Sequence, residues 1–148
     1  MRESGVAFFA SLTLHSLALS FVVGINFAIG LRLVGFAPKL PISPLIRFYS
    51  MHWYCVVLVF ISGSSLLLAY PAKALSNPVF YLKLATLVFA LNISRKFQKV
   101  LLVNHDALVV DSKIKMLAYL SLVLWVVTIT AGRFLAYTHS VLLASRFY

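Results

Sequence analysis

The sequence predicts an all-α fold: an integral membrane four-helix bundle in a single domain over residues 1–148. Hydrophobic residues make up 62% of the chain and charged residues only 11%, and the mean hydropathy is +0.99. Soluble domains carry about 25% charged residues. Four apolar segments lie at about residues 6–31, 50–70, 79–94 and 114–138. A helix of about 20 residues crosses a hydrocarbon core, and lipid requires backbone groups to bond within the segment, so we expect spanning helices.

The first segment resembles a signal peptide, because Arg2 precedes its apolar run. The run continues to about Leu31 and no clear small-residue cleavage site closes it, so we expect a retained helix. After it, prolines at positions 38, 41 and 44 predict a loop that lasts until about Ser50.

The last two segments have recognisable starts. Asn77 and Pro78 form an N-cap and first-turn pair for the third helix, and Asp111 with Ser112 offers a cap for the fourth. Residues 95–110 carry apolar side chains at near-helical spacing with charges between them. This stretch is either a helix lying along the membrane interface or a disordered loop.

Basic residues are divided unevenly between the two sides of the predicted bundle. Eight lie on the side of the two longer loops: Arg32, Lys39, Arg47, Arg95, Lys96, Lys99, Lys113 and Lys115. Five lie on the other side: Arg2, Lys73, Lys83, Arg133 and Arg146. The positive-inside rule therefore predicts cytoplasmic loops and both termini on the periplasmic side. Topology and anionic lipid account for the formal charge of +10, so we expect membrane lipids and no nucleic acid as partners.

Lys83 and Arg133 each lie about one turn inside the periplasmic end of a predicted helix. Such charges cost several kcal/mol at membrane depth unless the side chain reaches the interface or finds a partner. The chain has only three acidic residues, Glu3, Asp106 and Asp111, and the last two belong to the opposite side. Glu3 is the one acidic residue that could pair with them from within the chain, so we expect an external anion: a heme propionate, a lipid phosphate or a carboxylate of another subunit.

His15 lies well inside the first helix, where histidine is uncommon. It is either a neutral ring hydrogen-bonded across the bundle or an axial ligand of heme iron. His139, on the same side, is the candidate second ligand, although a histidine at a helix end is also typical of the interface. Heme b is thus the candidate cofactor, with His15 and His139 at the iron and Lys83 and Arg133 at the propionates.

The remaining polar residues predict no further site. His52 begins the second helix beside Trp53 and Tyr54, which indicates an aromatic interfacial belt, and His105 lies in a polar connection. Cys55 is the only cysteine, so no cysteine cluster can hold a metal. No carboxylate lies in a predicted span, so histidine is the one candidate general acid or base there, and we predict no catalytic residue. No internal repeat is apparent, which gives little support to a transporter.

Five features together resemble a known group of proteins: His15, LRLVG at 31–35, SGSSLLL at 62–68, NPVFYLKL at 77–84 and AGRFLAY at 131–137. The group consists of uncharacterised bacterial four-helix membrane proteins, which are similar in turn to copper-resistance D-like and cytochrome b-like bundles. The resemblance implies a bacterial inner-membrane location. It also implies that the ligand role of a first-helix histidine in heme-binding relatives carries over to His15, and that Lys83 and Arg133 match basic positions.

Two functions follow as expectations. The first is a non-catalytic membrane subunit that anchors or assists a larger electron-transfer or oxidase-type complex and has an outer anionic-cofactor site. The alternative is a stand-alone b-type cytochrome with one heme, or a membrane enzyme that handles heme, porphyrin or quinone. A visible absorption spectrum separates the two.

Overall fold

The computed structural model describes residues 5–36, 38–39, 41–103 and 111–144, with the backbone alone for residues 42, 73, 136 and 138–144. Within these residues there are four long helices, one short helix and no strand, which confirms the all-α four-helix fold. In chain order the helices are α1 (Gly5–Val34), α2 (Ile42–Ala69), α3 (Pro71–Leu75), α4 (Pro78–Val103) and α5 (Ser112–Ala144).

The predicted start of the second helix, at about residue 50, was wrong. α2 begins at Ile42, directly after Pro41 at the N-cap position, and Pro44 lies in its first turn. A proline in the first turn removes a backbone N–H that has no helical partner in any case, so it does not end the helix. The proline-rich connection is therefore short, and Pro71 starts the additional short helix α3 between α2 and α4.

The predicted end of the third helix, at residue 94, was also wrong. α4 continues to Val103 because Phe97 and Leu101, each 2% exposed, extend its buried stripe past the charged residues. Residues 95–103 are thus part of α4, and 104–110 lie outside the described residues. The predicted N-cap of α4 is confirmed, because the Asn77 side-chain oxygen accepts the Val79 N–H at 3.0 Å.

The start of α5 agrees with the predicted cap. The backbone carbonyl of Asp111 accepts the N–H groups of Ile114 and Lys115 at 2.9 and 3.1 Å. Three helical segments among the described residues are long and apolar enough to cross a membrane: Gly5–Val34, Ser43–Ala69 and Ser112–Leu135. α4, predicted to span, is not one of them, because Lys83, Asn92 and Arg95 interrupt its apolar residues.

The helices pack as two antiparallel pairs, α1 with α2 and α4 with α5. α1 also packs along α5, whereas α2 and α4 touch at fewer positions. We call the contact between α2 and α4 the α2–α4 seam. The starts of α1 and α4, the ends of α2 and α5, and α3 all lie at one end of the bundle, which we call the α3 end.

The two helical pairs share one pattern of buried positions, which the sequence did not reveal. Residues 68 apart are buried in both α1 and α4: Ala18 and Thr86, Val22 and Ala90, Asn26 and Ser94, Ile29 and Phe97, Leu33 and Leu101. In α2 and α5 the equivalent buried residues are one position further apart than those in α1 and α4. The pairs are Tyr49 and Ala118, His52 and Ser121, Val56 and Trp125, Val59 and Thr128, and Ser62 and Ala131. The fold is therefore two similar hairpins that run in the same direction and bury equivalent faces.

Candidate functional site

His15 is held against α2 by a hydrogen bond across the bundle. Its Nδ1 lies 3.0 Å from the Ser62 hydroxyl, and that hydroxyl lies 2.5 Å from the Leu58 carbonyl oxygen. The carbonyl can only accept, so the serine donates its proton there and accepts the hydrogen of His15 Nδ1. The sequence left two alternatives open for His15, and this is the first of them, a ring hydrogen-bonded across the bundle. The ring also interacts with the Val59 backbone carbonyl, and Nε2 is the ring nitrogen that Ser62 does not contact.

A glycine makes this contact between α1 and α2 geometrically feasible. A Cβ added at Gly63 would lie 3.2 Å from His15 Cε1 and 3.6 Å from Nδ1. The first distance is closer than ordinary van der Waals contact, so a larger residue would push the ring away from Ser62. The small residues Ser62 and Gly63 thus position the imidazole.

Lys83 has an equivalent position in the second hairpin. It follows His15 by the same 68 residues that separate Asn26 from Ser94, and it lies on Gly132, as His15 lies on Gly63. A Cβ at Gly132 would meet Lys83 Cε at 3.6 Å and Nζ at 3.7 Å. The Lys83 side chain is half-buried, and its ammonium is near enough to His15 to interact with it electrostatically.

The charge of Lys83 is not matched by a carboxylate in the described part of the chain. Asp111 is the one acidic residue there, and it caps α5 at the end of the bundle opposite to the α3 end. A half-buried ammonium without a counter-ion attracts anions more strongly than a solvated one, because the surrounding dielectric is lower. His15, Lys83, Gly63 and Gly132 form a cluster of side chains and glycines that we call the α3-end pocket.

The structure does not bring all four predicted cofactor residues into this pocket. Arg133 is exposed, on the outer surface of α5 with Phe134 and Tyr137, which are 62% and 60% exposed. His139 belongs to α5, but its side chain lies outside the described residues. The roles of Arg133 at an anion and of His139 at iron therefore stay predictions.

Heme binding also stays a prediction, and the space beside His15 limits how it could occur. An apolar depression lies along the α2–α4 seam, lined by Leu19, Val22, Val56, Val59, Phe60, Leu87 and Leu91, and it is too narrow for a water-sized sphere. A porphyrin ring does not fit into it unless the helices move apart. Among the described residues, no three His, Cys, Asp or Glu side chains are grouped as metal ligands.

A second polar cluster, which the sequence analysis missed, lies further from the α3 end. Asn26 Nδ2 donates to the Val22 carbonyl oxygen and to His52 Nε2, both at 2.8 Å, and Asn26 Oδ1 accepts the Ser94 hydroxyl at 2.5 Å. These three side chains, from α1, α2 and α4, are at most 1% exposed. We call Asn26, His52 and Ser94 the polar layer. His52 is therefore a core residue, and its prediction as an interfacial one was wrong.

The network determines which nitrogen of His52 carries the proton. The Val22 carbonyl can only accept, so the nitrogen of the Asn26 amide faces both it and His52 Nε2. His52 Nε2 is then an acceptor, and Nδ1 carries the hydrogen. His52 Nδ1, together with the buried polar atoms of Tyr49, Ser121 and Trp125, has no hydrogen-bond partner among the described residues. Each such group lowers stability by about 1–3 kcal/mol.

Two further side-chain hydrogen bonds connect helices of the bundle. Thr128 Oγ1 lies 2.8 Å from Thr86 Oγ1, one turn inward from Lys83 and Gly132. At the other side of the polar layer, Trp53 Nε1 donates to Gln98 Oε1 at 2.8 Å, which ties α2 to α4. The Arg95 guanidinium lies 5.0 Å from the centre of the Trp53 ring, which is a cation–π contact between α4 and α2.

Comparison with family models, curated protein sequences and solved structures found no match for this chain. The functional interpretation therefore depends on the geometry of the α3-end pocket and the polar layer.

Proposed function

We propose that the chain is a small, non-catalytic subunit of the bacterial inner membrane that binds an external anionic group in the α3-end pocket. Its partners are other membrane subunits of an electron-transfer or oxidase-type complex and the surrounding lipid. The observation that carries this proposal is the half-buried Lys83 ammonium, positioned by Gly132 near His15, with no carboxylate of the described chain beside it.

The electrostatics favour binding rather than catalysis. Lys83 and His15 offer donors and positive charge, which suit recognition of a phosphate or a carboxylate. For general acid–base chemistry the described site offers histidine alone, because the only acidic residue described, Asp111, lies at the far end. The site therefore supports binding of an anion better than catalysis of a reaction.

The proposed topology has all four long helices crossing the membrane, with the α3 end and both termini on the periplasmic side. α4 is the least apolar of the four, but its packing against α5 hides part of its polar stripe from lipid. Single cysteines introduced in a Cys55→Ser background test this. Ser76→Cys should react with a membrane-impermeant maleimide in spheroplasts and Ser112→Cys should not; the reverse pattern would invert the topology.

The anion-binding role is tested with Lys83→Met and the matched control Lys99→Met. Lys99 is exposed on α4, well beyond the polar layer from the α3 end. Proteins are purified in mild detergent and their retained anionic ligands and subunits are identified by mass spectrometry. We expect Lys83→Met to lose about fivefold or more of the retained anion and Lys99→Met to lose little. Equal retention by both variants would refute the proposal.

A b-type cytochrome is the second candidate, and the geometry of His15 favours it. Proteins commonly orient ligand histidines by a hydrogen bond at the other ring nitrogen, as Ser62 does here. Bound heme would supply one-electron redox chemistry. A reduced-minus-oxidised b-type spectrum that disappears in His15→Ala would support this candidate, and a colourless pure protein would eliminate it.

A further inference from the structure

We infer that one exposed face of α4 binds a transmembrane helix of another subunit. That helix carries a hydrogen-bonding side chain at the level of Asn92 and carboxylates at the level of Lys96 and Lys99. The face consists of exposed residues that follow one another at intervals of three or four, and we call it the α4 outer face: Tyr81, Ala85, Val88, Asn92, Lys96 and Lys99. The inference goes beyond anion binding at Lys83, and it depends only on the proposed membrane crossing of α4.

The α4 outer face is separate from the α3-end pocket. Successive residues of a helix point about 100° apart, so Lys83, nine residues before Asn92, points to the opposite side of α4. The buried side of α4 packs mainly on α5. A partner helix on the outer face therefore does not compete with a ligand of Lys83.

The first observation is an exposed amide. Asn92 Nδ2 donates to the Val88 carbonyl oxygen at 3.0 Å, and Asn92 has no other hydrogen-bond partner among the described residues. An asparagine amide has a second N–H and a carbonyl oxygen that can accept two hydrogen bonds. Acyl chains offer neither donors nor acceptors, so in a membrane such groups bond to polar side chains of neighbouring helices.

Exposed polar residues in the apolar parts of the other long helices are of a different kind. The uncharged ones that are described all carry hydroxyls. Ser20 and Thr130 are examples, and each hydroxyl donates to a carbonyl oxygen of its own helix at 2.8 Å. Since a hydroxyl has a single hydrogen, that bond uses its donor completely. The amide of Asn92 cannot complete itself in this way.

The second observation is the depth of Asn92 in the bundle. Ser94, two residues further along α4, bonds to Asn26 of α1. Asn26 precedes Arg32, the basic residue in the last turn of α1, by six residues, which is about 9 Å at 1.5 Å per residue. In the proposed topology Asn92 therefore lies among acyl chains and not among head groups. α4 as a whole agrees with a covered face, because it is the one long helix that is not apolar enough to count as a candidate span among the described residues.

The third observation is the charge of the α4 outer face. Lys96 and Lys99 are exposed and follow Asn92 by one and two helical turns on the same side. The one acidic residue described, Asp111, belongs to the start of α5, which packs on the buried side of α4. The described chain thus provides no carboxylate on this face, and carboxylates of a partner would complement its charge.

Two other occupants match the α4 outer face less well. A second copy of the chain, related by a twofold axis along the membrane normal, would bring Lys96 and Lys99 against their own equivalents, and like charges across an interface are unfavourable. Anionic lipid head groups could neutralise the lysines, but they have no hydrogen-bonding group at the depth of Asn92. A helix of another membrane protein provides both groups at the required spacing.

The experiment measures binding of synthetic transmembrane peptides to the full chain in detergent micelles by fluorescence energy transfer. The probe peptide is a leucine helix of about 24 residues with one asparagine, and with glutamates four and seven residues after it, which is the spacing of Lys96 and Lys99 from Asn92. One matched peptide has leucine in place of the asparagine, and the other has lysines in place of the glutamates. The donor dye is attached to Ser76→Cys in a Cys55→Ser background, and the acceptor to the peptide N-terminus, because a helix parallel to α4 would begin near Ser76.

We expect wild type to bind the probe peptide at least threefold more tightly than either matched peptide. Asn92→Leu should weaken binding of the probe peptide about threefold, and Lys96→Met about twofold. The control variants are Thr130→Leu and Lys115→Met, which replace exposed residues of α5, and both should bind the probe peptide as wild type. A thermal melt identifies any variant that does not fold, and the matched peptides make the same comparison on the wild-type protein.

Three results would overturn the inference in distinguishable ways. Equal affinity of wild type for all three peptides would show that the α4 outer face selects no helix. Energy transfer between copies of the chain that disappears in Asn92→Leu would assign the face to a second copy. Loss of the probe peptide in Lys83→Met but not in Asn92→Leu would place its glutamates in the α3-end pocket, which would remove this inference and leave the anion-binding proposal intact. Conversely, failure of Lys83 to retain an anion would not alter the result expected for Asn92 and Lys96.

Discussion

The α3-end pocket and the polar layer are both clusters of polar side chains inside an apolar bundle, but they are built in opposite ways. In the polar layer the groups are neutral, sealed from the surface and bonded to one another across three helices. In the pocket, Lys83 is charged and half-buried, packs against Gly132 and lies near enough to His15 to interact with it. The first arrangement is bonded within the chain, and for the second we propose an external anion.

With the proposed anion-binding role, the difference assigns stability to the polar layer and binding to the pocket. Neutral hydrogen bonds between helices stabilise a membrane bundle modestly and fix how the helices face each other. An unpaired cation lowers the stability of the empty protein and contributes only when an anion arrives. Substitutions in the layer should therefore affect folding first, and substitutions in the pocket should affect the ligand first.

The largest effect is expected from Asn26→Leu. The substitution removes the bonds to His52 and Ser94 and leaves the buried His52 Nε2 without a donor, so the free energy of unfolding should fall by about 2 kcal/mol. Unfolding of the purified protein by SDS in mixed micelles measures it. The retained anion per folded molecule should not change.

Asn92→Leu is the matched control for that measurement. Asn92 is exposed on the same helix as Ser94, and its amide bonds to the Val88 carbonyl of its own helix at 3.0 Å. We expect a change of less than about 0.5 kcal/mol. If both asparagine variants destabilise the protein equally, the polar layer has no special role in the fold.

Much of the fold was predictable from the sequence, because apolar runs bounded by charges and caps such as Asn77 determine where long apolar helices lie. The exact starts of the helices were not predictable, because a proline such as Pro44 can either end a helix or lie in its first turn. Lys83 and His15 stood out by their depth in apolar segments. Their glycine partners did not, because a glycine reveals its role only when the facing helix is known.

The polar layer shows the limit of sequence reasoning more clearly. His52 stands next to Trp53 and Tyr54, which is the local pattern of an interfacial belt. What makes it a core residue is Asn26, which reaches it from another helix, and Asn26 is held in turn by Ser94, 68 residues away. No local pattern encodes such contacts. The repeated burial of α1 and α4 was hidden for the same reason, since the paired residues differ in type.

The second prediction tests the pocket without removing its charge. In Gly132→Leu the new side chain would occupy the place of the Lys83 stem, because even a Cβ meets Lys83 Cε at 3.6 Å. We expect retention of the anion to fall about threefold while the unfolding free energy changes by less than about 1 kcal/mol. Native mass spectrometry and the SDS titration provide the two readouts.

Gly24→Leu is the control for Gly132→Leu. Gly24 lies on the exposed side of α1, and a Cβ there has nothing within 4 Å. It should leave both retention and stability near the wild-type values. A loss of anion in Gly24→Leu as large as in Gly132→Leu would mean that the position of Lys83 is unimportant.

The third prediction concerns the hydrogen bond that holds His15. Ser62→Ala removes the acceptor of the Nδ1 hydrogen, and bonds of this kind in membrane helices contribute about 0.6 kcal/mol on average. The unfolding free energy should fall by about that amount. Gly63→Ala, which brings a Cβ within 3.2 Å of His15 Cε1, should give a loss of similar size by displacing the same ring. Stability unchanged in both would show that the ring is not held by α2.

The smallest effect is expected from Arg133→Leu, and it distinguishes a site residue from a neighbour. Arg133 follows Gly132 in the chain, but successive helical residues point about 100° apart, and its side chain is exposed while Lys83 is half-buried. An exposed cation contributes at most about 1 kcal/mol to holding an anion at the membrane surface, and screening reduces this further. We expect anion retention to fall less than about twofold, with membrane insertion unchanged. A loss as large as that of Lys83→Met would mean that Arg133 binds the same anion, and the pocket would then extend over the outer surface of α5 instead of ending at Gly132.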